Sequence, residues 1–223
     1  MQIIIQARLN SSRLPKKVLH EIKGKPLLGY LMMNLKRLDD HKIYIATSDK
    51  SSDNDIENYC EKNNILCFRG SLNDVAKRML DTAKYYNADA FVRINGDSPI
   101  MDPKIVERGI EIYENGEYDL VTNTYSRSFP VGQSVEVIRT STFKKAYQNM
   151  FTTDHFEHVT KYYYEHADKF HIKNFSNDRD LSHYRLVVDT PEDLKRMQKI
   201  IGSMTRPHTE YGLDDLIELY PSA

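Results

Sequence analysis

The sequence predicts an α/β fold in which a mixed, mainly parallel sheet is flanked by helices. Three observations carry this expectation. A short run of isoleucines at residues 2–6 has the uninterrupted apolar character of a strand buried on both faces. Strand-like and helix-like segments then alternate with short links through the first half of the chain, the pattern of a parallel sheet with helical crossovers. Between the strands, helical spacing gathers apolar residues on one side, as in Leu27, Leu28, Leu31, Met32, Leu35 and Leu38.

In chain order, a polar loop at 7–17 follows the first strand, and a helix begins near Pro26, whose missing N–H costs nothing in a first helical turn. Strands are expected at 42–46, 65–68 and 88–94, with helices at 53–63, 73–86 and 103–115, the last opened by Asp102 as N-cap. Beyond residue 116 the alternation loosens. Strands at 118–122, 134–139, 170–175 and 184–188 and helices at 140–149, 155–166, 191–201 and 213–219 suggest a mixed extension of the sheet. Residues 126–134 read as a flap or lid. With no internal repeat or linker, residues 1–223 are expected to form a single domain.

Composition narrows the class of partner. Charged residues make up 28% and hydrophobic ones 40%, with a net charge of -1. No strongly basic face or tail marks a nucleic-acid binder, and no apolar run reaches bilayer length. The absence of an export pattern, with only Cys60 and Cys67 present, predicts a cytoplasmic protein. Those two cysteines read as small, half-buried residues rather than metal ligands.

The loop at 7–17 follows the carboxyl end of the first strand, where ligands bind in open parallel sheets. Asn10, Ser11 and Ser12 are small enough for the backbone to curl round an anion, and Arg8, Arg13, Lys16 and Lys17 surround that turn with positive charge. No glycine is present, so neither the P-loop nor the dinucleotide pattern applies. Taken alone, an anion grip and a solvated basic turn fit equally well.

Two aspartates extend the picture. Asp97 follows Gly96 at the end of the fourth strand, and Asp189 ends a strand just before Thr190-Pro191. Gly96 permits an unusual backbone angle or a close approach, and Thr190 is suited to cap the following helix. A basic loop and two carboxylates at strand ends form the set needed for metal-assisted attack on phosphorus. Mg²⁺ typically takes only one or two protein carboxylates beside phosphate oxygens.

These segments resemble a known family. Ile4-Ile5-Gln6-Ala7-Arg8, Ser12-Arg13-Leu14-Pro15, Lys17-Val18-Leu19, Gly24-Lys25-Pro26-Leu27 and Phe68-Arg69-Gly70-Ser71 come first, followed by Asp74-Val75 and Arg78. Gly96-Asp97-Ser98-Pro99, Thr122-Asn123-Thr124, Phe129-Pro130, Val135-Glu136-Val137, Glu157-His158-Val159-Thr160 and Val188-Asp189-Thr190-Pro191 continue the series in order. Together they resemble the cytidylyltransferases that include CMP-Kdo synthetase, acylneuraminate cytidylyltransferase and the spore-coat polysaccharide proteins.

The resemblance implies a Rossmann-like fold of the nucleotide-diphospho-sugar transferase type, CTP as donor, Mg²⁺ as cofactor, a small sugar-type acceptor and a homodimer with residues 151–166 at its contact. By position it implies nucleotide binding by Ala7, Arg8, Asn10, Ser11, Ser12, Arg13, Lys17, Arg69, Ser71, Arg78 and Gly96. It also implies catalytic roles for Arg13, Lys17 and Asp97, metal binding by Asp97 and Asp189, and acceptor contacts at Gln133, Glu136, Glu157 and His158. The chain departs from the family pattern at Lys16, where glycine is usual, at Asn95 and Ser98, and at Gly132-Gln133-Ser134. A nucleotide-sugar-dependent glycosyltransferase and a non-catalytic nucleotide binder are the alternatives on the same fold.

Overall fold

The computed structural model describes residues 1–221. Its strands are β1 (Gln2–Gln6), β2 (Glu21–Ile22), β3 (Lys25–Pro26), β4 (Lys42–Ser48), β5 (Leu66–Gly70), β6 (Ala90–Asn95), β7 (Leu120–Thr122), β8 (Glu136–Arg139) and β9 (Ile172–Asn174). Its α-helices are α1 (Leu27–Leu35), α2 (Asn54–Lys62), α3 (Val75–Tyr85), α4 (Pro103–Glu114), α5 (Thr140–Gln148), α6 (Thr153–Glu157), α7 (Lys161–Glu165), α8 (Pro191–Ser203) and α9 (Leu213–Glu218).

Seven strands form one sheet in the order β5-β4-β1-β6-β8-β7-β9. The β1 strand lies between β4 and β6 and is parallel to both, while β8 runs antiparallel to β6 and β7. The β2 and β3 strands form a small separate ribbon.

The isoleucine run explains the centre of this arrangement. Side chains of a strand alternate between the faces of its sheet, and both faces here are covered. Ile3 and Ile5 pack with Leu28, Leu31 and Leu35 of α1 and Ile105, Val106 and Ile110 of α4. Ile4 faces the other way, against Val75, Met79 and Leu80 of α3 and Phe143 of α5. Full burial of each such side chain contributes roughly 1.5–3 kcal/mol. A third cluster joins Leu14, Leu27 and Tyr30 to Leu186, Val188, Met197, Ile200 and Leu216, and so docks α8 and α9 beside the N-terminal loop.

Several boundaries differ from expectation. Pro26 is the extended residue preceding α1 rather than part of its first turn. Residues 184–188 are not a strand: apart from a single bridge between Val131 and Arg185, they run extended beside the body. Their bonds go to loops, with Val131 N donating to Tyr184 O, Leu186 N to Val131 O and Val188 N to Asp97 O. The helix expected over 155–166 is broken into α6 and α7, because His158 leaves helical geometry at ψ 80°. Thr160 there gives its hydroxyl to Glu136.

Residues 126–134, expected as a flap, are packed against the body in this structure. Phe129 and Gln133 are buried, and Gly132 adopts a positive φ of 104° where its backbone passes Leu186. Cys60 is buried and Cys67 half-buried, both as free thiols.

Candidate active site

A cavity of about 290 Å³ opens at the carboxyl ends of β1 and β6, lined by Ala7, Arg8, Arg13, Lys17, Arg78, Gly96, Asp97 and Asp189 among others. The first strand delivers the loop to this edge, and buried anchors hold the loop in place. Leu9 and Leu14 are buried, and Leu9 N donates to Asp53 Oδ1 at 2.7 Å. Asp53 is itself buried, and its other oxygen accepts both the amide and the hydroxyl of Ser48 at the end of β4. The loop is therefore tied to the neighbouring strand through one carboxylate.

The centre of the site is a lysine between two aspartates. Lys17 Nζ donates to Asp97 Oδ2 at 2.6 Å and to Asp189 Oδ1 at 2.8 Å, and Arg13 pairs with the second oxygen of Asp189. Burial by itself would depress the Lys17 pKa. The Asp97 charge and hydrogen bonds to both carboxylates outweigh it and hold the ammonium above its ordinary value. The bond from Val188 N to Asp97 O, 2.9 Å, brings the two aspartate loops together.

Gly96 is needed here for close packing rather than for an unusual angle. A Cβ on it would stand 3.0 Å from Gln6 O and 3.1 Å from the Ala7 Cβ.

The carboxylates also fit a hard cation. Asp97 Oδ1 is buried with no hydrogen-bond partner, an arrangement that leaves an acceptor free. Among the described residues no group of three or more His, Cys, Asp or Glu is placed to hold a metal. A protein-only cage is thus absent there, whereas two carboxylates completed by phosphate oxygens suit Mg²⁺.

Arg78 closes another part of the cavity. Only 1% of it is exposed, Nη1 donates to the carbonyls of Ser71 and Leu72, and Nε is left without a partner. Burial, followed by repulsion from Arg8, lowers its pKa to about 10, so it remains charged at neutral pH. Arg8 reaches across the mouth to Glu157 at 2.9 Å, and Glu157 and His158 line that side.

Other expected site residues are placed elsewhere. Asn10, Ser11 and Ser12 do not line the cavity; Ser11 Oγ instead accepts from Leu14 N at 3.4 Å. Arg69 is committed to Ser48 O, Lys50 O and Glu57, and Ser71 supports Arg78 and Asp74 through its carbonyl and hydroxyl. Gln133 is fully buried, accepting from Asp102 N at 2.9 Å and donating to Ile100 O at 2.9 Å. It braces the segment after Asp97 and presents no free amide to an acceptor.

Glu136 is likewise buried. It takes Arg93 on one oxygen and Thr160, Tyr164 and Thr124 on the other. Burial would raise its pKa, but the Arg93 charge and these hydrogen bonds hold the carboxyl below its ordinary range. Its place is behind Arg93, positioning that guanidinium and the turn between α6 and α7.

Gln6, Arg93 and Asn95 also line the cavity, although the sequence reading gave none of them a site role. Arg93 Nε donates to Gln6 Oε1 at 2.9 Å, and Gln6 lies opposite Asn95 in the β1–β6 register. Their signal was position: each lies at or near the strand ends that carry Ala7 and Asp97.

Lys16 takes the left-handed conformation, φ 57°, which glycine adopts without strain. Its ammonium pairs outside the cavity with Asp55 at 2.8 Å.

The chain has the nucleotide-diphospho-sugar transferase fold of nucleotidyltransferases, with a basic loop and two aspartates at one edge of its sheet. Residues 2–215 match the cytidylyltransferase family, and the chain belongs to that family. Spore coat polysaccharide biosynthesis protein SpsF of Bacillus subtilis is 29% identical over 205 residues, covering 88% of this chain and 84% of that protein. The structure of a cytidylyltransferase from Leptospira borgpetersenii serovar Hardjo-bovis superposes with a TM-score of 0.91 at 33% identity, covering 97% of this chain and 92% of that one. A CMP:2-keto-3-deoxy-manno-octonic acid synthetase complexed with CTP shares the fold, with a TM-score of 0.69 at 16% identity and coverage of 90% and 98%.

Proposed function

We propose that this chain is a Mg²⁺-dependent cytidylyltransferase that transfers CMP from CTP to a sugar acid or related small acceptor, releasing pyrophosphate, in the synthesis of surface polysaccharide or glycan precursors. The observation that carries the reading is the Lys17–Asp97–Asp189 cluster, with one buried Asp97 oxygen left free. The name of the B. subtilis relative and the CTP complex of the structural neighbour support the substrate class.

Asp97 and Asp189 would hold the magnesium ion, which when bound supplies charge neutralisation at the phosphates. Lys17 and Arg13, released from the aspartates, would turn their donors to the triphosphate and stabilise the departing pyrophosphate. An acceptor oxygen forms its bond to the α-phosphorus, the bond to the α–β bridging oxygen breaks, and the acceptor proton is lost to solvent. Positioning and charge supply the rate, with no covalent enzyme intermediate. Glu157 and His158 stand at the cavity wall where the acceptor would enter.

Among the described residues no helix is long and apolar enough to cross a membrane. A cytoplasmic homodimer is part of the proposal. Its contact would include Phe151, which is 76% exposed beside α6; light scattering would report the mass.

The direct test is pyrophosphate release with Mg²⁺, each nucleoside triphosphate and a panel of sugar acids and sugar phosphates. Release with CTP alone among the nucleotides supports the reading. Tight CTP binding without release from any pair would favour a non-catalytic binder.

A further inference from the structure

Asp189 follows a segment that no sheet holds. Apart from the bridge between Val131 and Arg185, residues 184–188 lie outside the strand ladder, so the amides that follow must find partners elsewhere. Three consecutive amides are nevertheless satisfied. Val188 N donates to Asp97 O at 2.9 Å, and Asp189 N and Thr190 N both donate to Asp193 Oδ2, at 3.1 and 3.3 Å. The backbone of Asp189 is therefore held by the side chain of Asp193.

Asp193 also serves a helix. It is the third residue of α8, its own N–H donates to Thr190 Oγ1 at 3.2 Å, and the two residues close a reciprocal cap. Such a cap needs only the Thr190 amide, and it works at an exposed helix end. Asp193 is 3% exposed and binds more than that. Arg185 reaches both of its oxygens, Nη2 to Oδ2 at 3.0 Å and Nε to Oδ1 at 3.3 Å, a planar fork on a planar carboxylate. Arg196 Nη1 adds a bond to Oδ1 at 2.6 Å.

Tyr220 backs both arginines. Its hydroxyl accepts from Arg185 N at 3.4 Å, and its ring centre lies 5.7 Å from the Arg196 guanidinium carbon. Burial would raise the Asp193 pKa, but hydrogen bonds from Arg185 and Arg196 hold it below its ordinary value. Two guanidiniums framing one buried acid exceed what a helix cap requires. The bond that capping leaves unexplained is the one to Asp189 N.

We propose that Asp193 is a positioning residue for the metal-binding carboxylate, fixing the Asp189 backbone so that its side chain faces the cavity beside Asp97. Arg185 and Arg196 are the frame that keeps Asp193 in place. The proposal rests on the reading of Asp189 as a magnesium ligand. Groups that orient a metal ligand from behind commonly matter about 10–100-fold in metal affinity.

Manganese binding to the intact, nucleotide-free protein, read by paramagnetic resonance, tests this. Asp193→Asn is expected to bind Mn²⁺ about 10–100-fold more weakly than wild type. In an Asp189→Asn background the same change should weaken Mn²⁺ no further. Thr190→Ala removes the hydroxyl of the cap and keeps the Asp193 carboxylate. It should lower the melting temperature by about 2–4 °C and leave Mn²⁺ affinity unchanged. In turnover, Asp193→Asn should raise the half-saturating Mg²⁺ concentration, with the KM for CTP at saturating Mg²⁺ within about threefold of wild type.

Unchanged Mn²⁺ affinity in Asp193→Asn, with circular dichroism preserved, would overturn the proposal. So would an equal loss in Thr190→Ala, which would make helix capping the cause. If Asp193→Asn does not fold, Arg196→Gln takes away one side of the frame and leaves the carboxylate. That variant should weaken Mn²⁺ on the order of threefold, and no change would equally overturn the proposal. Wild-type Mn²⁺ affinity in Asp189→Asn would instead remove Asp189 itself from the metal site.

Discussion

Lys17 Nζ lies 2.6 Å from Asp97 Oδ2, a residue 80 positions later in the chain, and the same ammonium reaches Asp189 at 2.8 Å. The positive charge of the loop thus sits between the two carboxylates suited to a metal. A cation bound by those carboxylates would compete with the lysine for their charge. Lys17→Gln is expected to bind Mn²⁺ more tightly than wild type in the absence of nucleotide, as read by paramagnetic resonance, while turnover falls at least about a hundredfold. Unchanged Mn²⁺ affinity would show that the ammonium does not guard the site.

Asp97→Asn and Asp189→Asn should each lower kcat by at least about a hundredfold, with the fold kept. Retention of near-normal turnover by either variant would remove that residue from the metal site. Circular dichroism on the same samples separates lost chemistry from lost structure.

The exposed Arg8–Glu157 pair at the cavity mouth engages a guanidinium that the triphosphate would need. Glu157→Gln frees Arg8 and is expected to tighten CTP binding about threefold, whereas Arg8→Ala weakens it about tenfold. In Arg8→Ala the Glu157 change should have no further effect. Independent, additive effects in calorimetry would refute this coupling.

Glu136 joins Arg93 to Thr160 and Tyr164 in the interior, so Glu136→Ala should cost roughly 3–5 kcal/mol by stranding a buried cation. Its folded pKa is depressed, so the unfolded chain takes up the proton first. The stabilisation is present above the ordinary carboxylate value of 4.5 and is lost as pH falls through the lower folded value. Urea melts between about pH 7 and 3 should show a shallower acid decline in Glu136→Gln than in wild type. Parallel declines would contradict the assignment.

Lys16 holds a left-handed conformation at φ 57°, which costs a side-chain-bearing residue about 1–2 kcal/mol. Glycine relieves that strain but loses more freedom on folding. Lys16→Gly should therefore stabilise the protein modestly, by about 0.5–1 kcal/mol, with activity unchanged because the side chain points to Asp55. A lower melting temperature would refute the strain argument, and a raised KM for CTP would return Lys16 to the phosphate site.

By itself the sequence determined the β–α alternation, the buried isoleucine strand, the basic loop at its end and the two aspartates at the ends of extended segments. The elements were legible because burial on both faces of a strand leaves an unbroken apolar run and burial on one face of a helix leaves a local period. The Thr190 cap was legible for the same local reason, since its partner Asp193 is three residues away.

Only the tertiary structure decided which polar side chains became machinery and which became braces. Gln133 and Glu136 looked like acceptor contacts but are consumed in the interior, and Arg69 is held by Glu57 and two carbonyls. Arg78, by contrast, is buried with its Nε lacking a hydrogen-bond partner. Residue type cannot distinguish these fates, because the same guanidinium or carboxylate serves wherever its donors or acceptors find partners. Strand order places β1 between β4 and β6, and one backbone bond joins Val188 to Asp97. Such long-range meetings leave no period in the chain, and they put Lys17 between its two aspartates.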